Sequence, residues 1–311
     1  MLHDPIKTYS TASFRQAYIQ PEAPQKPLLQ PGFEQFFIVR VEDMMRQMKL
    51  PVPPTRTDAS SLVFLTDGEA VMDIGSETYT IGPHECLVVP AGQVFAFASG
   101  VDQNRGYLCN FRPDFLVGPP AAGNRPPEFE FLRVWGNPRI RLTTETAGFV
   151  QQLMDRMLQD HAGHALAHAA LQQAYLVALL REISQDYRPV AAGPAAGAHL
   201  ANRFRELLFA HFKTQQLVAD YAAQLCVSPN HLNKVVKAAT GKSPTTWIAE
   251  AVVLEAKVLL HQSALSVGEV AAEVGLTDAS SFSRLFKKHE GLTPLEFRRR
   301  IEKSGNRPHP S

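Results

Sequence analysis

Asn230, Asn233, Lys234 and Lys237 fall three, four and seven residues apart, the spacing that places side chains on one face of a helix. About fifty residues later Ala279, Ser280, Ser283, Arg284, Lys287 and Lys288 repeat that spacing. A carboxamide matches the edge of adenine. A guanidinium makes two parallel bonds to guanine, and an ammonium reaches guanine acceptors or phosphate. The small Ala279 and Ser280 permit close approach or contact with a thymine methyl. Two such faces imply contact with the major groove of duplex DNA. Arg284 is the strongest base-reading residue among them, and Lys287 and Lys288 lie towards the backbone.

The segments that carry these faces are two copies of one pattern, LVADYAAQLCVSPNHLNKVVKAATGKSPTTW (217–247) and SVGEVAAEVGLTDASSFSRLFKKHEGLTPLEF (266–297). Ala222 corresponds to Ala271, Leu225 to Val274, Leu232 to Phe282 and Val236 to Phe286. Gly241 then corresponds to Gly291, Pro244 to Pro294 and Trp247 to Phe297, after a single extra residue in the second copy. Each copy reads as a helix-turn-helix, whose second helix enters the groove. In the first, Leu217–Leu225 supports, Cys226 and Val227 turn, and Ser228 caps a helix beginning at Pro229. In the second, Val267–Val274 supports, Gly275 turns, and Thr277 or Asp278 caps. Thr245–His261 reads as a connecting helix anchored by Trp247, Ile248, Val252, Leu259 and Leu260. Its length suits two reading helices about one DNA turn apart. An all-helical interaction module with a solvated basic face leaves both turns, both caps and the shared G-x-x-P ends unexplained.

Charge agrees with this division. Residues 199–311 hold 15 Lys and Arg against 10 Asp and Glu, whereas the rest holds 16 against 20, so a basic third follows an acidic body in a chain of net charge +1. No apolar run is long enough to span a bilayer, and MLHDPIKTYS lacks a signal pattern, which predicts a cytoplasmic protein without membrane contact. Cys86, Cys109 and Cys226 are few, distant and odd in number, which argues against a disulfide framework.

The N-terminal half reads differently. QFFIVRVE (35–42), SLVFLTDG (61–68), AVMDIG (70–75), ETYTIG (77–82), CLVVP (86–90), VFAFAS (94–99) and GYLCNF (106–111) are short runs rich in β-branched and aromatic residues. They predict a β-sandwich or small barrel over about 30–143, interrupted by the Pro-rich loop 118–128. Two helices follow over about 145–187, then a Pro/Gly/Ala linker at 188–198, a helical domain at 199–302 and a tail at 303–311. The expected fold is therefore α+β in two domains, with residues 1–187 forming the first.

Inside the barrel Phe37, Phe64, Phe95 and Phe97 are candidate lining residues of an effector pocket, ordinary core packing being the plainer reading for any one of them. Arg40, Arg105 and Arg112 are candidate partners for a ligand carboxylate or phosphate, surface charge being the plainer reading. His161, His164 and His168 sit at helical spacing that would let neighbours share a metal; alanine-flanked, solvent-exposed histidines explain the same pattern. Neither a metal nor a cofactor is expected.

The tandem pattern resembles the AraC/XylS family of bacterial regulators. GLTDASSFSRLFKKHEGLTPLEFR follows the family signature nearly throughout, with Leu276 and Ser281 standing where aromatics are common. Val252 replaces a frequent arginine of the connecting helix, so that arginine's contacts are absent. The strand-rich half is similar to the cupin-like effector barrel of these regulators. Metal-binding cupins carry an HxH motif and a later histidine, but here Phe95 follows Pro90-Ala91-Gly92 and no HxH precedes it. The three imidazoles of a catalytic metal are missing, and no enzyme activity is expected. The resemblance implies a cytoplasmic bacterial regulator, usually an activator, that binds promoter DNA and a small-molecule effector. It also implies a homodimer through helices 145–187, contact with RNA polymerase during activation, and association with the nucleoid through DNA. A regulator governed by a protein partner instead of a ligand is the second reading. An enzyme fused to the DNA-binding module is the third, and the reactive Pro-Cys or zinc motif of methylated-base repair proteins is absent.

Overall fold

A computed structural model describes residues 8–20, 30–97, 103–116, 129–134, 136–188 and 195–303, without the side chains of residues 195, 196 and 303. The Pro-rich loop at 118–128, linker residues 189–194 and the tail from residue 304 lie outside the described residues. The chain divides into a compact unit, Thr8–Arg188, and a second whose described residues are 195–303.

The first unit opens with α1 (Thr11–Tyr18), whose N-cap Ser10 accepts a hydrogen bond from the Ser13 N–H. Each of the seven predicted runs carries a strand: β1 (Phe36–Arg40), β3 (Ser60–Asp67), β4 (Ala70–Ile74), β5 (Glu77–Ile81), β6 (Glu85–Val89), β7 (Phe95–Phe97) and β8 (Arg105–Phe111). The first run ends earlier than expected, because Val41–Met45 folds as a short helix α2 with Glu42 and Asp43 in its first turn. Two further strands are β2 (Val52–Thr55) and β9 (Arg139–Arg141). The helices α3 (Thr144–His164) and α4 (Ala169–Asp186) follow.

The strands form two antiparallel sheets, β1-β8-β3-β6-β9 and β2-β7-β4-β5. Period-two alternation divides the five-stranded sheet between two cores. One face sends Phe36, Leu62, Phe64, Cys86, Tyr107 and Cys109 towards α3 and α4, where they meet Val150, Met154, Met157, Leu176 and Leu180. The other sends Phe37, Val39, Leu87 and Val89 into the space between the sheets, against Val52, Ile74, Ile81 and Phe95. Tyr107 also donates to Asp155 of α3 at 2.6 Å, and burial followed by that bond pushes its phenol up to about 12.

Both sheet cysteines belong to the helix-side core, where burial raises their thiols far above the ordinary range, while Cys226 is exposed. A thiol titration of the folded protein should therefore count one fast-reacting cysteine, with Cys86 and Cys109 reacting only after denaturation. Rapid labelling of two or three would contradict this packing.

The second unit is all helical: α5 (Ala195–His211), α6 (Val218–Gln224), α7 (Pro229–Thr240), α8 (Pro244–Gln262), α9 (Val267–Glu273), α10 (Ala279–Glu290) and α11 (Pro294–Lys303). Phe204, Leu208, Tyr221, Leu232 and Val236 build one core, and Val270, Val274, Phe282, Phe286 and Phe297 build the other. The connecting helix α8 gives Ile248 and Ala251 to the first, then Val252, Val253, Ala256 and Leu260 to the second. Nineteen residues long, it spans about 28 Å and is buried along most of its course.

Candidate nucleic-acid interface and effector cavity

The two helix-turn-helix copies use the same backbone chemistry at their turns. In the first, the Cys226 N–H bonds to Ala223 O at 3.1 Å and the Val227 N–H to Ala222 O at 3.0 Å. In the second, the Gly275 N–H bonds to Ala272 O at 2.9 Å and the Leu276 N–H to Ala271 O at 2.8 Å. Each pair of bonds closes the support helix as a Schellman motif, with its C′ residue left-handed: Cys226 at φ +56° and Gly275 at φ +86°.

The next helix starts under a side-chain cap in both copies. Ser228 Oγ accepts from the His231 N–H at 3.2 Å, with Pro229 at the first position. In the second copy Asp278, not Thr277, takes the N–H groups of Ser280 and Ser281 at 3.1 and 2.9 Å. The Ser281 hydroxyl and these two amides hold the Asp278 carboxyl below its usual range. Gly241 and Gly291, both at φ +75°, end the two helices.

These caps set the faces that α7 and α10 turn to solvent. Asn230, Asn233, Lys234 and Lys237 are all exposed, while Leu232 and Val236 of the same helix are fully buried. On α10, Ser280, Arg284, Lys287 and Lys288 are exposed, Ala279 and Ser283 half-buried, and Phe282 and Phe286 fully buried. The Arg284 side chain is 75% exposed and donates to the Ser281 hydroxyl at 2.9 Å, close to Asp278 at 3.9 Å. A base contact by Arg284 thus replaces one weak surface bond and costs little.

The first unit holds a cavity of about 130 Å³ between its sheets. Its aromatic wall is Phe14, Phe33, Phe37, Phe95 and Phe97, and Met44, Met45, Met48 and Met72 fill in around them. Polar lining comes from Thr57, Asn104 and a linked set of Thr11, Ser61 and Asn110, in which Asn110 donates to Ser61 at 3.0 Å and Thr11 approaches the Asn110 carbonyl oxygen at 3.5 Å. Arg15 also lines the cavity, its guanidinium 4.4 Å from the Phe33 ring centre.

Of the seven residues named from sequence for this pocket and its ligand, Phe37, Phe95 and Phe97 line the cavity, and Phe64, Arg40, Arg105 and Arg112 do not. Phe64 points to the opposite face of β3, stacked 6.3 Å from Tyr107 in the helix-side core. The residues of β3 that face the cavity are its odd-numbered neighbours, Ser61 and Val63. Arg40 is an odd number of residues from Phe37, so on one strand the two must face opposite ways. It pairs with Asp155 at 2.8 Å and stacks 4.2 Å over Tyr107, tying the sheet to α3. Arg112 pairs with Asp58 at 2.8 Å, and Arg105 lies 3.8 Å from Glu42.

Missing from the sequence reading were the contributions of α1 and α2. Their signal was present: Ser10 before a run with Phe14 and Tyr18 at i, i+4 marks an N-capped amphipathic helix. The histidines were also grouped wrongly. His161 is buried, edge-on to Phe36 at 5.6 Å, and His168 is not on the same helix as His164 but stands at the N-cap position of α4, with no capping bond from its side chain.

A model of the AraC-like ligand binding domain matches residues 46–180, and a helix-turn-helix domain model matches residues 221–300. The MmsAB operon regulatory protein of Pseudomonas aeruginosa is 29% identical over 252 residues, spanning 79% of this chain and 77% of its own. The arabinose operon regulatory protein of Salmonella typhimurium is 25% identical over 245 residues, spanning 74% and 80% respectively. The HTH-type transcriptional activator RhaS of Klebsiella pneumoniae is 23% identical over 288 residues, spanning 85% and 94%. The chain belongs to the AraC/XylS family: it is a DNA-binding transcription regulator whose N-terminal domain binds a ligand. No helix among the described residues is long and apolar enough to cross a membrane.

Proposed function

We propose that this protein is a cytoplasmic, non-enzymatic activator that reads promoter DNA with α7 and α10 and answers to a compact, largely apolar effector held between the sheets. The carrying observation is a pair of helices, each with a side-chain N-cap and a left-handed glycine at its end, that turn polar faces to solvent and are braced by the buried helix α8. In this reading Asn230, Asn233 and Lys234 face one groove segment, and Ala279, Ser280, Ser283 and Arg284 face the next. Lys237, Lys287 and Lys288 neutralise phosphates, and RNA polymerase is recruited beside the bound site. Residues 1–187 act as the effector and dimerisation domain and the helical unit as the reader, the expected linker 188–198 being shortened at its far end because α5 already begins at Ala195.

The effector's chemistry follows from the cavity. An engineered apolar cavity of about 150 Å³ takes benzene, so a space of this size suits one aromatic ring or a short branched chain. The polar set Thr11, Ser61 and Asn110 accommodates one hydroxyl, carbonyl or carboxylate on that ligand. Binding shifts the regulator between states to the extent that the cavity is better formed in one of them. A homodimer through α3 and α4 would cover Phe149 and Leu171, which stay 48% and 37% exposed after the rest of the helices' apolar stripe has packed on the sheet.

The reading helices are tested by a pair of substitutions. Arg284→Ala should cost about 1–3 kcal/mol in specific binding and relax the preference at one base position. Lys287→Ala should weaken all sequences alike and lower the salt slope by about one counterion. Uniform loss of affinity for specific and random DNA in both variants would sink the base-reading assignment.

A further inference from the structure

Asp160, His164 and His168 meet where α3 ends and α4 begins. Asp160 sits in the last turns of α3 with its side chain 2% exposed, and His164 follows one turn later on the same helix. Ala165, at φ +51°, breaks the helix and turns the chain so that His168 returns to the same carboxylate. The Nδ1 atoms of His164 and His168 lie 3.3 and 3.0 Å from one atom, Asp160 Oδ1. Candidate ligand atoms of the three residues all lie within 4.8 Å of one another.

We propose that these three residues bind a borderline divalent transition-metal ion such as Zn²⁺, which staples the tip of the α3–α4 hairpin. A tetrahedral ion with bonds of about 2.0–2.1 Å has ligand atoms about 3.3–3.4 Å apart, close to the two separations above. Two imidazoles and one carboxylate form a ligand set suited to zinc, nickel or copper and poorly suited to magnesium. The carboxylate is also held from behind: Gln172, fully buried, donates to Asp160 Oδ2 at 2.9 Å and to Met157 O at 3.1 Å. Such an outer bond fixes a ligand's orientation before the ion arrives. The two rings stand 4.2 Å apart and need to open by about 1 Å to share an ion at tetrahedral angles. Both side chains are about half exposed, so the movement is a small rotation in solvent, and a water completes the fourth position.

The staple braces more than the turn. Leu166, inside it, packs so closely on Gly32 that a Cβ there would come within 2.4 Å of Leu166 Cδ1. The neighbouring Phe33 lines the cavity. An ion at the tip therefore steadies the segment that walls the effector space. The ion has no catalytic part.

The test uses the full chain, stripped with chelator and dialysed at neutral pH against micromolar Zn²⁺ or Mg²⁺. The wild type should retain about one Zn²⁺ per chain and no Mg²⁺, and its thermal midpoint should rise by several degrees. The double variant His164→Gln/His168→Gln should lose that ion and the thermal shift, and Asp160→Asn should bind at least ten-fold more weakly. Because both histidines also partner the buried Asp160 carboxylate, the Zn²⁺-induced change in each variant is read against that variant's own unliganded midpoint. The exposed thiol of Cys226 is common to all samples and cancels from the difference. Equal Zn²⁺ in wild type and double variant, or none in the wild type, would overturn the site.

Discussion

Gly275→Ala is expected to abolish specific DNA binding by the full chain while leaving the first unit folded. The backbone at Gly275 is left-handed, φ +86°, a conformation that costs a residue with a Cβ about 1–2 kcal/mol. Space makes the change worse. A Cβ built there lies 2.1 Å from the Lys213 carbonyl oxygen and 2.7 Å from Gln216 Nε2, and the first of these is backbone. Gln216 in turn donates to Val274 O at 2.8 Å, so the 213–216 segment is clamped onto the turn that launches α10. Opening this contact moves the second reading helix relative to the first. Strain and displacement together amount to about 3 kcal/mol or more, a loss of at least 100-fold in specific affinity. Cys226 stands at the same place in the first copy, already left-handed at φ +56°. Cys226→Gly should therefore do the opposite, raising stability by about 1 kcal/mol. Anisotropy titrations with promoter and random duplexes, beside thermal melts, measure both. Promoter affinity in Gly275→Ala within a few-fold of wild type would refute the packing argument.

That pair of turns shows why the helical half was so legible in the sequence. Caps, turn residues and buried positions are all local: Ser228 with Pro229, Asp278, Gly241 and Gly291 declare helix ends within four residues of themselves. The strands were legible for a similar reason: four of the seven β-rich runs end in Gly or Pro, and a fifth, VFAFAS, is followed directly by Gly100. Proline misleads in one place, since β2 contains Pro53 and Pro54 and survives only as the edge strand of its sheet.

Which face of each strand looks into the cavity is a long-range property, decided by where α3 and α4 pack. Phe64 is as aromatic as Phe37, but its parity on β3 delivers it to the helices. A period-two count excludes Phe37 and Arg40 from sharing a face, and that signal was available without a structure. The histidine trio fails similarly. Grouping the three histidines on one face treats 161–168 as continuous helix although two helices were expected, and the left-handed Ala165 breaks it and brings Asp160 in place of His161. Gly163, two residues earlier, marks a division into two helices in the sequence, but the residue that turns is Ala165, and alanine as the strongest helix former does not declare it.

The cavity offers the second large effect. Val63→Trp should eliminate ligand binding and the transcriptional response to it while leaving the fold intact. Val63 sits in the middle of β3, paired with Leu87 and Leu108, and its side chain lines the cavity. An indole there occupies most of a 130 Å³ space. Overpacking a filled core costs about 1–3 kcal/mol, but this addition enters a void and gains contacts, so the thermal midpoint should hold or rise. Phenol, toluene and benzoate are suitable probes of the one-ring size class. At ten times its Kd, a probe that binds only the folded state stabilises by about 1.4 kcal/mol, a shift of a few degrees. The wild type should show that shift with at least one probe and Val63→Trp with none. Phe64→Leu, altering the opposite face of the same strand, should change the midpoint but retain the probe's shift, since Phe64 touches the helices and not the cavity. A shift that persists in Val63→Trp and disappears in Phe64→Leu would place the ligand on the helix side of the sheet and reverse the assignment of faces on which the effector reading rests.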